Sequence, residues 1–566
     1  MYMFKTCKNC QQNFEITDDD LKFYEKVSPE FSGRKYLIPP PSLCQECRQQ
    51  RRLGSCNEFN FYNGKCGICG KFVLTEFSPD IKQIIYCRDC WHSDKWDSRD
   101  YGLEFDFSRS FFEQFMEVKM KTPALNLNSQ GTNINSEYIH YAGSCKNCYL
   151  VRHADFCEDC YYGYGFKNNI FCVDGFYNLH CEFCYDCLDC HKCYELKGSQ
   201  DCINCSSSAF LRDCIGSKNC FLSVGLRQKE YCFENEQLTK EQYQSKIASI
   251  NLSSYVIYQA CKNRLKELKK NHTFKEYQGY NTENCLGDHL INCKEAQYCF
   301  DCEDVETAKF CYQVVLGAKN IYDIYQYGTN LLESYEGAIV GENSYHLLFC
   351  NNCHVNSSDL IYCWYAERSK NCFACSNIKG LNYCLLNKQY TKEEYNKLVP
   401  KIIDHMMKSD EWGEYFPLSF STIYGYNKSS AQLYFPFTKD QALAKGFKWS
   451  DYEPEFPKVE KIIPANLLPE TISEIPDDIL NWAIECEVTK KPFKIIKPEL
   501  EFYRKMNLPI PRRHPDQRHK ERMALRNPRK LWTRNCMKCG MEIQTTYSPE
   551  RKEIVYCEKC YFGSIY

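Results

Sequence analysis

Several common sequence features are missing from this chain, and each absence excludes a class of protein. No run of about 18 apolar residues occurs, so we expect no membrane-spanning helix. The first residues, MYMFKTCKNC, lack the basic segment and apolar core of a secretory signal, and we expect a cytoplasmic protein. The net charge of −2 at pH 7 indicates no particular partner. No phosphate-binding loop, dinucleotide fingerprint or nucleophile elbow is present, so the sequence favours a non-enzymatic role.

Cysteine, by contrast, is unusually frequent. The 566 residues include 41 cysteines and 43 tyrosines, whereas the apolar content of 43% and the charged content of 25% are ordinary for a globular protein. In a reducing compartment, thiols stay reduced or bind a metal. We therefore expect free or metal-bound cysteines rather than an extensive disulfide framework.

Twelve of the cysteines form three sets of paired Cys-x-x-Cys motifs. Two such pairs supply four thiolates, which can complete a tetrahedral shell around Zn²⁺ and leave no position for a substrate. This arrangement is typical of structural rather than catalytic zinc. The sequence predicts three structural Zn²⁺ ions, bound by Cys7, Cys10, Cys44, Cys47, Cys66, Cys69, Cys87, Cys90, Cys536, Cys539, Cys557 and Cys560.

The two ends of the chain are copies of one module. Residues 7–91 and 486–561 share the order of cysteine pairs, aromatic residues and basic segments. The first metal site of the second copy is incomplete, because only Cys486 and His514 occupy ligand positions, with His519 close enough in sequence to be a third. Since structural zinc uses three or four protein ligands, we expect this copy to fold largely by packing. The sequence does not decide whether this incomplete site binds a metal.

In the first module, C-x-x-C is followed by F, then by FY, then by C-x-x-C-R. The residues of this pattern are Cys7, Cys10, Phe14, Phe23, Tyr24, Cys44, Cys47 and Arg48. The module resembles the treble-clef or zinc-ribbon domains of many bacterial proteins, a likeness that covers both chain ends, roughly a third of the length, and implies metal binding without a particular activity. The whole chain also resembles large cysteine-rich bacterial proteins that sometimes carry a carnitine/bile-acid CoA-transferase label. Neither the aspartate nucleophile nor the strand–helix alternation of those α/β enzymes can be matched here.

The middle of the chain, from about 126 to 405, holds most of the remaining cysteines. Aligned at a period of 21 residues, Cys160, Cys181 and Cys202 fall in one column. A fixed period of about 20 residues with short segments and turn residues is typical of a solenoid. We predict a right-handed parallel β-helix in which inward-facing cysteines form a buried ladder.

A longer repeat divides this solenoid into two halves. The segment that begins at Cys232 recurs from Cys384, so each half ends in the same way. Thr239 and Thr391 are predicted N-caps of helices that close the two halves, since each has a glutamine or glutamate three residues later. Ser108 is predicted to cap a further helix that connects the first module to the solenoid.

One cysteine run has a spacing of three throughout, at Cys181, Cys184, Cys187, Cys190 and Cys193. Similar runs bind iron–sulfur clusters in bacterial ferredoxins, but those end with a three-residue gap and Cys-Pro, and neither is present here. We favour the buried ladder, with additional zinc or an iron–sulfur cluster as alternatives. A metal-active or redox-active solenoid is therefore a less favoured function.

A carbohydrate-active β-helix is a second less favoured function. Proteins of that kind use acidic residues that cluster on one face of the coil. Here Asp155, Asp159, Asp174, Asp186 and Asp189 have no fixed coil spacing, and turns explain them equally well.

The best indication of a partner is the density of basic residues between Arg504 and Arg534. Because zinc ribbons with basic patches can neutralise phosphates, RNA or DNA binding is one interpretation. We favour a protein-interaction or assembly scaffold, since basic residues alone do not define a partner. The sequence does not indicate an oligomeric state. The residues predicted to contact nucleic acid are Arg512, Arg513, Arg518, Lys520, Arg522, Arg526, Arg529 and Lys530.

These observations predict a mainly β protein with small α+β zinc modules, in which treble-clef or zinc-ribbon domains flank a duplicated parallel β-helix-like solenoid. The predicted segments are a tandem zinc module (1–95), a connecting helix (96–125), the first solenoid half (126–234), a helical insertion (235–275), the second half (276–386), a capping helix (387–410), an aromatic and proline-rich linking region (411–485) and a second zinc module (486–566).

Overall fold

The computed structural model confirms the predicted fold class. The chain is mostly β, with a β-solenoid of about 20 turns in the middle and small cysteine-rich modules near both ends. The structure describes residues 3–178, 180–182, 185, 188, 197–421, 423–456 and 458–565. Within these ranges, no helix combines the length and the apolar character needed to cross a membrane.

The coils of the first half are short and regular. One coil separates the stacked corner residues Asn147 and Asp159, whose side chains form a hydrogen bond of 3.0 Å across a sequence separation of 12. A parallel bridge joins Gly143 to Asp155 at the same separation, and this step continues along the half. Every third residue from 141 to 162 is in the left-handed region, with φ between 49° and 57°. Because each left-handed residue turns the chain, four three-residue sides make one coil. The strands here are Ala124–Leu125, Ser129–Gln130, Tyr138–His140, Ala142–Gly143, Tyr149–Arg152, Ala209–Arg212, Phe221–Val224, Cys232–Phe233 and Glu236–Gln237.

One residue of each three-residue side points into the coil. Cys145, Cys148, Cys157 and Cys160 occupy such positions and are 0–2% exposed. Small side chains fit here because the sides of so short a coil lie close together. The predicted ladder of buried cysteines is confirmed for these residues.

The buried thiols also lie within hydrogen-bond distance of backbone carbonyl groups. The Sγ atom of Cys148 lies 3.4 Å from the carbonyl oxygen of Lys146 and 3.4 Å from that of Cys157. Cys160 makes the same two contacts one coil later, at 3.3 and 3.4 Å. In the second half, the hydroxyl of Ser344 donates in the same way, at 2.9 and 3.2 Å. Cysteine and serine suit these positions because both are small and both carry a donor.

The observed coil is shorter than the repeat predicted from the sequence, so the predicted period was wrong. Both lengths are multiples of the three-residue side. Alignment of the sequence at the longer period therefore still places inward-facing residues in one column, although the residues of a column do not stack on one another in neighbouring coils. The cysteine run from Cys184 to Cys193 lies outside the described residues. For this run, the choice among ladder, zinc and iron–sulfur cluster stays a prediction, as does the hand of the coil.

Some coils of the second half are longer. Lys370 pairs with Asn382 at the same spacing as in the first half, whereas Tyr325 pairs with Ile339 at a spacing two residues longer. The added residues lengthen the strands on one side of the coil. The strands of this half are Thr273–Lys275, Gly279–Tyr280, Leu286–Ile291, Lys294–Lys309, Val315–Tyr322, Leu331–Tyr335, Ser344–Leu348, Ser358–Ile361, Ala366–Glu367, Lys370–Phe373, Ile378–Lys379, Asn382–Leu385 and Lys388–Gln389.

The two halves lie side by side and run in opposite directions. The start of the first half meets the end of the second, where Asn128 Nδ2 lies 2.7 Å from His354 Nε2. Further along, Asp201 of the first half lies near the start of the second, with its Oδ1 atom 3.5 Å from Nε2 of His289. The halves therefore form one antiparallel pair.

Helices close both halves at the predicted places. Thr239 and Thr391 each complete a capping box with the residue three positions later, which confirms both caps. The connecting helix is capped by Ser110 instead of Ser108, because the Ser108 hydroxyl donates to Asp106 at 2.7 Å. Helices outside the modules include Phe111–Lys121, Lys240–Ala248, Tyr255–Lys269, Lys392–Lys408, Leu418–Ser421, Ala431–Tyr434 and Lys439–Ala444.

Each module combines short hairpins with short helices. The first module contains the strands Met3–Thr6, Asn13–Ile16, Glu30–Phe31, Arg34–Lys35, Tyr62–Lys65, Phe72–Thr75 and Ile85–Tyr86 and the helices Asp18–Val27, Gln45–Gly54 and Arg88–Trp91. The second module contains the strands Ala483–Glu485, Pro492–Phe493, Trp532–Asn535, Glu542–Thr545 and Ile554–Tyr556 and the helices Lys497–Lys505, Pro515–Met523 and Glu558–Ile565.

The linking region between the second half and the second module packs into the molecule. Phe416 and Phe420 are fully buried, and their rings lie 5.7 and 5.2 Å from that of Phe115 in the connecting helix. Strand Ile462–Pro464 pairs with Ala483–Glu485 of the second module. The region therefore helps to hold the module in place.

Candidate metal centres

The twelve cysteines predicted as metal ligands come together as three tetrads. In each tetrad, the four Sγ atoms lie within 4.8 Å of one another. The Sγ atoms of Cys10 and Cys44 are 3.7 Å apart, and those of Cys69 and Cys87 are 3.8 Å apart. Tetrahedral Zn–S bonds of about 2.3 Å require sulfur–sulfur distances of about 3.8 Å. Each tetrad could therefore hold a metal ion. By first residue, they are the Cys7 tetrad (with Cys10, Cys44, Cys47), the Cys66 tetrad (with Cys69, Cys87, Cys90) and the Cys536 tetrad (with Cys539, Cys557, Cys560).

Backbone turns present the sulfur atoms of each tetrad. In the Cys66 tetrad, the first cysteine pair follows strand Tyr62–Lys65, and the amide of Gly70 donates to the carbonyl of Cys66 at 2.9 Å. Gly70 has a φ of 72°, a conformation that favours glycine. The second pair begins the helix Arg88–Trp91, with Cys87 as the N-cap. Amide groups at a helix start stabilise a thiolate.

Backbone hydrogen bonds also favour the ionised form of the ligands. Burial alone raises the pKa of Cys66, but the N–H groups of Cys69 and Cys87 lower it to about 6. The amide nitrogen of Cys87 lies 3.3 Å from Sγ of Cys66. Cys536 has the same surroundings in the second module, and its pKa is also lowered to about 6. These cysteines suit metal binding because the thiolate is the ligand.

At the incomplete site of the second module, Cys486 and His514 each accept a hydrogen bond from a nearby backbone amide. Cys486 Sγ accepts a hydrogen bond from the amide three residues later at 3.4 Å, and His514 Nδ1 accepts one from the amide two residues later at 3.2 Å. His519, the third candidate ligand, lies against the ring of Phe59, with 5.0 Å between the centroids. In the described ranges, the ligand groups of three or more are the three tetrads, which do not include Cys486 or His514.

The helix that carries Cys47 of the Cys7 tetrad docks the first module onto the second half. From helix Gln45–Gly54, Arg52 is 0% exposed and lies 2.9 Å from Asp323 and 2.5 Å from Glu336. Arg48, on the same helix, lies 2.9 Å from Asp323. Buried charges are tolerated only with such partners, so these contacts fix the module on the solenoid.

The second module uses equivalent arginines on the first half. In the duplication, Arg518 and Arg522 correspond to Arg48 and Arg52. Both guanidinium groups pair with Asp174, that of Arg522 at 3.2 Å. Each module therefore places two arginines of one helix against buried carboxylates of a solenoid half.

Most other residues of the predicted nucleic-acid surface are also paired within the protein. Arg526 and Arg529 both pair with Asp301, and the guanidinium group of Arg529 lies 2.8 Å from the Asp301 carboxylate. Lys520 is exposed. The geometry thus does not display the eight predicted residues as one open cationic surface. Further pairs join Arg512 to Glu470, Arg513 to Glu521 and Lys530 to Glu46.

A strand joins each of the Cys66 and Cys536 tetrads to the solenoid. Ile85–Tyr86, which precedes Cys87, pairs in parallel with Ala124–Leu125 at the start of the first half. Ile554–Tyr556 pairs in the same way with Thr273–Lys275 at the start of the second half. Each solenoid half therefore begins with a strand that pairs beside a tetrad.

The carboxylates that receive the arginines were not identified from the sequence. Asp174, Asp301, Asp323 and Glu336 all have a positive φ, between 52° and 61°, and so occupy corner positions of the coil. In the sequence, acidic residues that recur at the three-residue spacing can therefore indicate a corner of the coil. It does not tell which arginine the corner faces, because that contact joins residues far apart in the chain.

A buried glutamate, Glu58, joins the first module to both halves. Its carboxylate accepts hydrogen bonds from the hydroxyls of Tyr164 at 2.8 Å, Tyr325 at 3.0 Å and Ser430 at 2.8 Å, and lies 3.0 Å from Nε2 of His153. Burial alone would raise the pKa of Glu58, but His153 and the hydroxyl donors lower it to about 2. The sequence gives no direct sign of this contact between the three parts.

Comparison with protein-family models, with curated proteins and with solved structures finds no match. The function is therefore inferred from the tetrads, the docking arginines and the solenoid.

Proposed function

We propose that the protein is a non-enzymatic scaffold for protein interaction or assembly, with modules folded by three structural Zn²⁺ ions. One observation carries this proposal: each tetrad lies beside an element that docks onto the solenoid. The Cys7 tetrad positions the helix of Arg48 and Arg52, and the Cys66 tetrad positions strand Ile85–Tyr86. A metal ion there would fix the modules on the solenoid.

Zinc suits these ligands best. Four thiolates in tetrahedral arrangement are typical of structural zinc, and iron is the main alternative for the same ligands. Because cysteines supply all four positions of each tetrad, a bound ion would have no open position for water or substrate. This closed shell supports a structural role for the metal.

A protein partner fits the observations better than a nucleic acid. Binding to RNA or DNA requires arginines and lysines that reach phosphates. Arg518, Arg522, Arg526 and Arg529 instead pair with carboxylates of the solenoid. Moving them to a phosphate would leave buried carboxylates without compensation, at a cost of roughly 3–5 kcal/mol for each broken pair.

The cytoplasm is the proposed location, on the evidence of the solenoid thiols. Cys160 and Cys353 are free and fully buried. Burial raises the pKa of both thiols, so both are protonated and unreactive at neutral pH. A reducing compartment keeps such thiols free during folding, when they are still exposed.

Metal content tests the zinc proposal. Mass spectrometry of protein purified without added metal should give about three zinc ions per chain, one for each tetrad. A variant with Cys66→Ser and Cys69→Ser should contain about two. Cys56→Ser, which changes a buried cysteine outside the tetrads, should leave the zinc content unchanged. Brown protein that contains iron, or a wild-type zinc content clearly below three, would contradict the proposal.

Salt dependence tests the choice of partner. Fluorescence anisotropy with a labelled single-stranded RNA should show little binding, even at about 50 mM salt. Tight binding that weakens steeply towards about 200 mM salt would favour the nucleic-acid function instead.

A further inference from the structure

A cleft of about 790 Å³ lies between the two solenoid halves. Its walls contain residues of the first half, such as Asp155 and Lys167, and of the second half, such as Glu303 and Gln326. A volume of this size accommodates a small molecule or a few residues of a peptide. The tetrads lie outside its lining.

Two buried amide oxygens in the lining have no donor among the described residues. Gln313 and Gln326 line the cleft and are 4% and 5% exposed, yet the Oε1 atom of each accepts no hydrogen bond from the part of the chain that the structure describes. Their Nε2 atoms both donate to the hydroxyl of Tyr164, at 3.2 and 2.5 Å. In Gln326, Nε2 also lies 3.3 Å from Glu58 Oε1, which fixes the amide orientation because a carboxylate can only accept. The protein thus leaves two acceptors unmatched, which is costly unless a ligand or solvent supplies donors.

Three carboxylates of the same cleft have no cationic partner among the described residues. Asp155, Glu303 and Glu342 are half-buried, and none of them forms an ion pair with a described residue. Lys167 is the nearby cation for Asp155 and Glu303, but it lies beyond ion-pair distance of both. Burial raises the pKa of Asp155 to about 6 and also raises that of Glu303. These carboxylates would gain most from a positively charged ligand.

Exposed apolar rings flank the carboxylates. Phe156, next to Asp155 in the chain, is 62% exposed, and Tyr280 on the opposite wall is 64% exposed. Both rings can pack against an apolar group, and both present a face to a cation. The lining as a whole therefore combines hydrogen-bond acceptors, negative charge and aromatic surface.

We propose that this cleft binds a guanidinium or ammonium group carried on an apolar segment, with Asp155, Glu303, Gln313 and Gln326 as acceptors and Phe156 and Tyr280 against the apolar part. A guanidinium group offers five N–H donors in one plane, which matches a site made of separate acceptors. Such a ligand could come from an arginine-bearing peptide or from a polyamine. The proposal deepens the scaffold function. It rests on that function in one respect, because a protein partner is the reason for choosing a peptide as the first probe.

Isothermal titration with matched peptides tests the cleft. The probes are acetyl-Phe-Arg-Phe-amide and the same peptide with citrulline, which is nearly isosteric with arginine but uncharged. The arginine peptide should bind at least about tenfold more tightly, because a charge-assisted hydrogen bond contributes more than a neutral one. Spermidine distinguishes the polyamine source, and cellohexaose is the neutral, hydroxyl-rich comparison.

Variants of the full-length protein locate the binding. Asp155→Asn and Glu303→Gln keep the side-chain shapes and should each weaken the arginine peptide about tenfold. Glu306→Gln is the matched control, because Glu306 lies on the same strand as Glu303 but pairs with Lys319 outside the cleft. Its affinity should equal that of the wild type.

Affinity should also depend on pH. Asp155 faces Lys167, Glu342, the thiol of Cys145 and the amide of Gly143, and its pKa is raised to about 6, chiefly by burial. Between pH 7 and pH 5, about one unit either side of that pKa, Asp155 takes up a proton while the guanidinium stays charged, so binding should weaken. In Asp155→Asn this dependence should be much reduced.

Four results would overturn the proposal: equal affinity for the arginine and citrulline peptides, no change in Asp155→Asn and Glu303→Gln, binding of cellohexaose alone, or binding of none of the probes. Binding of spermidine but not of the arginine peptide would support the cation site and assign it to polyamines. If the protein contains its three zinc ions and binds no probe, the cleft proposal fails while the zinc proposal stands.

Discussion

An inward-facing cysteine both fills the coil and donates to the backbone. Cys148 and Cys160 each lie within hydrogen-bond distance of two backbone carbonyl oxygens. These carbonyl oxygens already accept backbone N–H groups of neighbouring coils, such as the amide of Asp159 on Lys146 and that of Lys146 on Cys157. The coil therefore gives each small buried thiol an acceptor, which suits cysteine to these inward positions without a disulfide or a metal.

Substitutions of Cys160 test the donor role. Cys160→Ser keeps a donor and should lower the local stability by about 1 kcal/mol or less, whereas Cys160→Ala removes the donor and leaves a small cavity, and should cost about 1–3 kcal/mol. Hydrogen exchange of the amides in the neighbouring coils measures the local free energy of opening. If serine proves as costly as alanine, then the thiol acts by filling space alone.

At the scale of elements, the cysteine tetrads, the helix caps and the solenoid could be predicted, but the length of the solenoid coil could not. Cys-x-x-Cys pairs and threonine caps act over a few residues, so the Cys7 tetrad and the Thr391 cap follow from local spacing. The coil depends on left-handed corners at residues such as Phe156 and Leu150, which rarely adopt a positive φ. Their side chains give no sign of the corner, so the true period of the coil was missed.

The docking contacts were missed for a different reason. Arg52 and Glu336 are 284 residues apart in the chain. The density of basic residues around Arg518 and Arg522 predicted a surface that contacts nucleic acid, whereas the fold places both arginines against Asp174. A sequence shows which residues carry charge, but the facing carboxylate is set by the packing of module and solenoid.

Loss of the Cys66 tetrad should unfold one strand pair. In the variant with Cys66→Ser and Cys69→Ser, Ile85–Tyr86 loses the metal site beside it, so its pairing with Ala124–Leu125 should open. Amide exchange at Ala124–Leu125 should quicken by at least about tenfold, a loss of about 1.4 kcal/mol in local stability. The equivalent strand Thr273–Lys275, which pairs beside the intact Cys536 tetrad, is the internal control. Unchanged exchange at Ala124–Leu125 would show that packing alone holds this pair.

At the scale of the whole molecule, each module bridges both solenoid halves. In the first module, strand Ile85–Tyr86 pairs with the first half, and Arg52 forms an ion pair with the second half. In the second module, strand Ile554–Tyr556 pairs with the second half, and Arg522 forms an ion pair with the first half. The contacts therefore cross, as expected if a duplicated unit had paired with its own copy in antiparallel orientation. Each half therefore contacts both modules, and each module contacts both halves.

The crossed contacts predict that arginine substitutions act on the distant half. Arg52→Met leaves Asp323 and Glu336 without this partner, which should cost about 3–5 kcal/mol and quicken amide exchange in Leu331–Tyr335 of the second half. Arg522→Met should do the same around Asp174 in the first half. Both variants should still contain three zinc ions, because the tetrads are unchanged.

The matched control for both variants is Arg34→Met. Arg34 pairs with Asp404 on the surface, where the two side chains are 58% and 41% exposed, so the change should cost no more than about 1 kcal/mol. If Arg52→Met loosens only the first module and leaves Leu331–Tyr335 protected, the second half is stable without the docking. The modules would then be attachments to a self-sufficient solenoid. If exchange instead quickens in the half that each arginine contacts, the modules and halves form one interlocked unit, and the metal sites stabilise the solenoid as well as the modules.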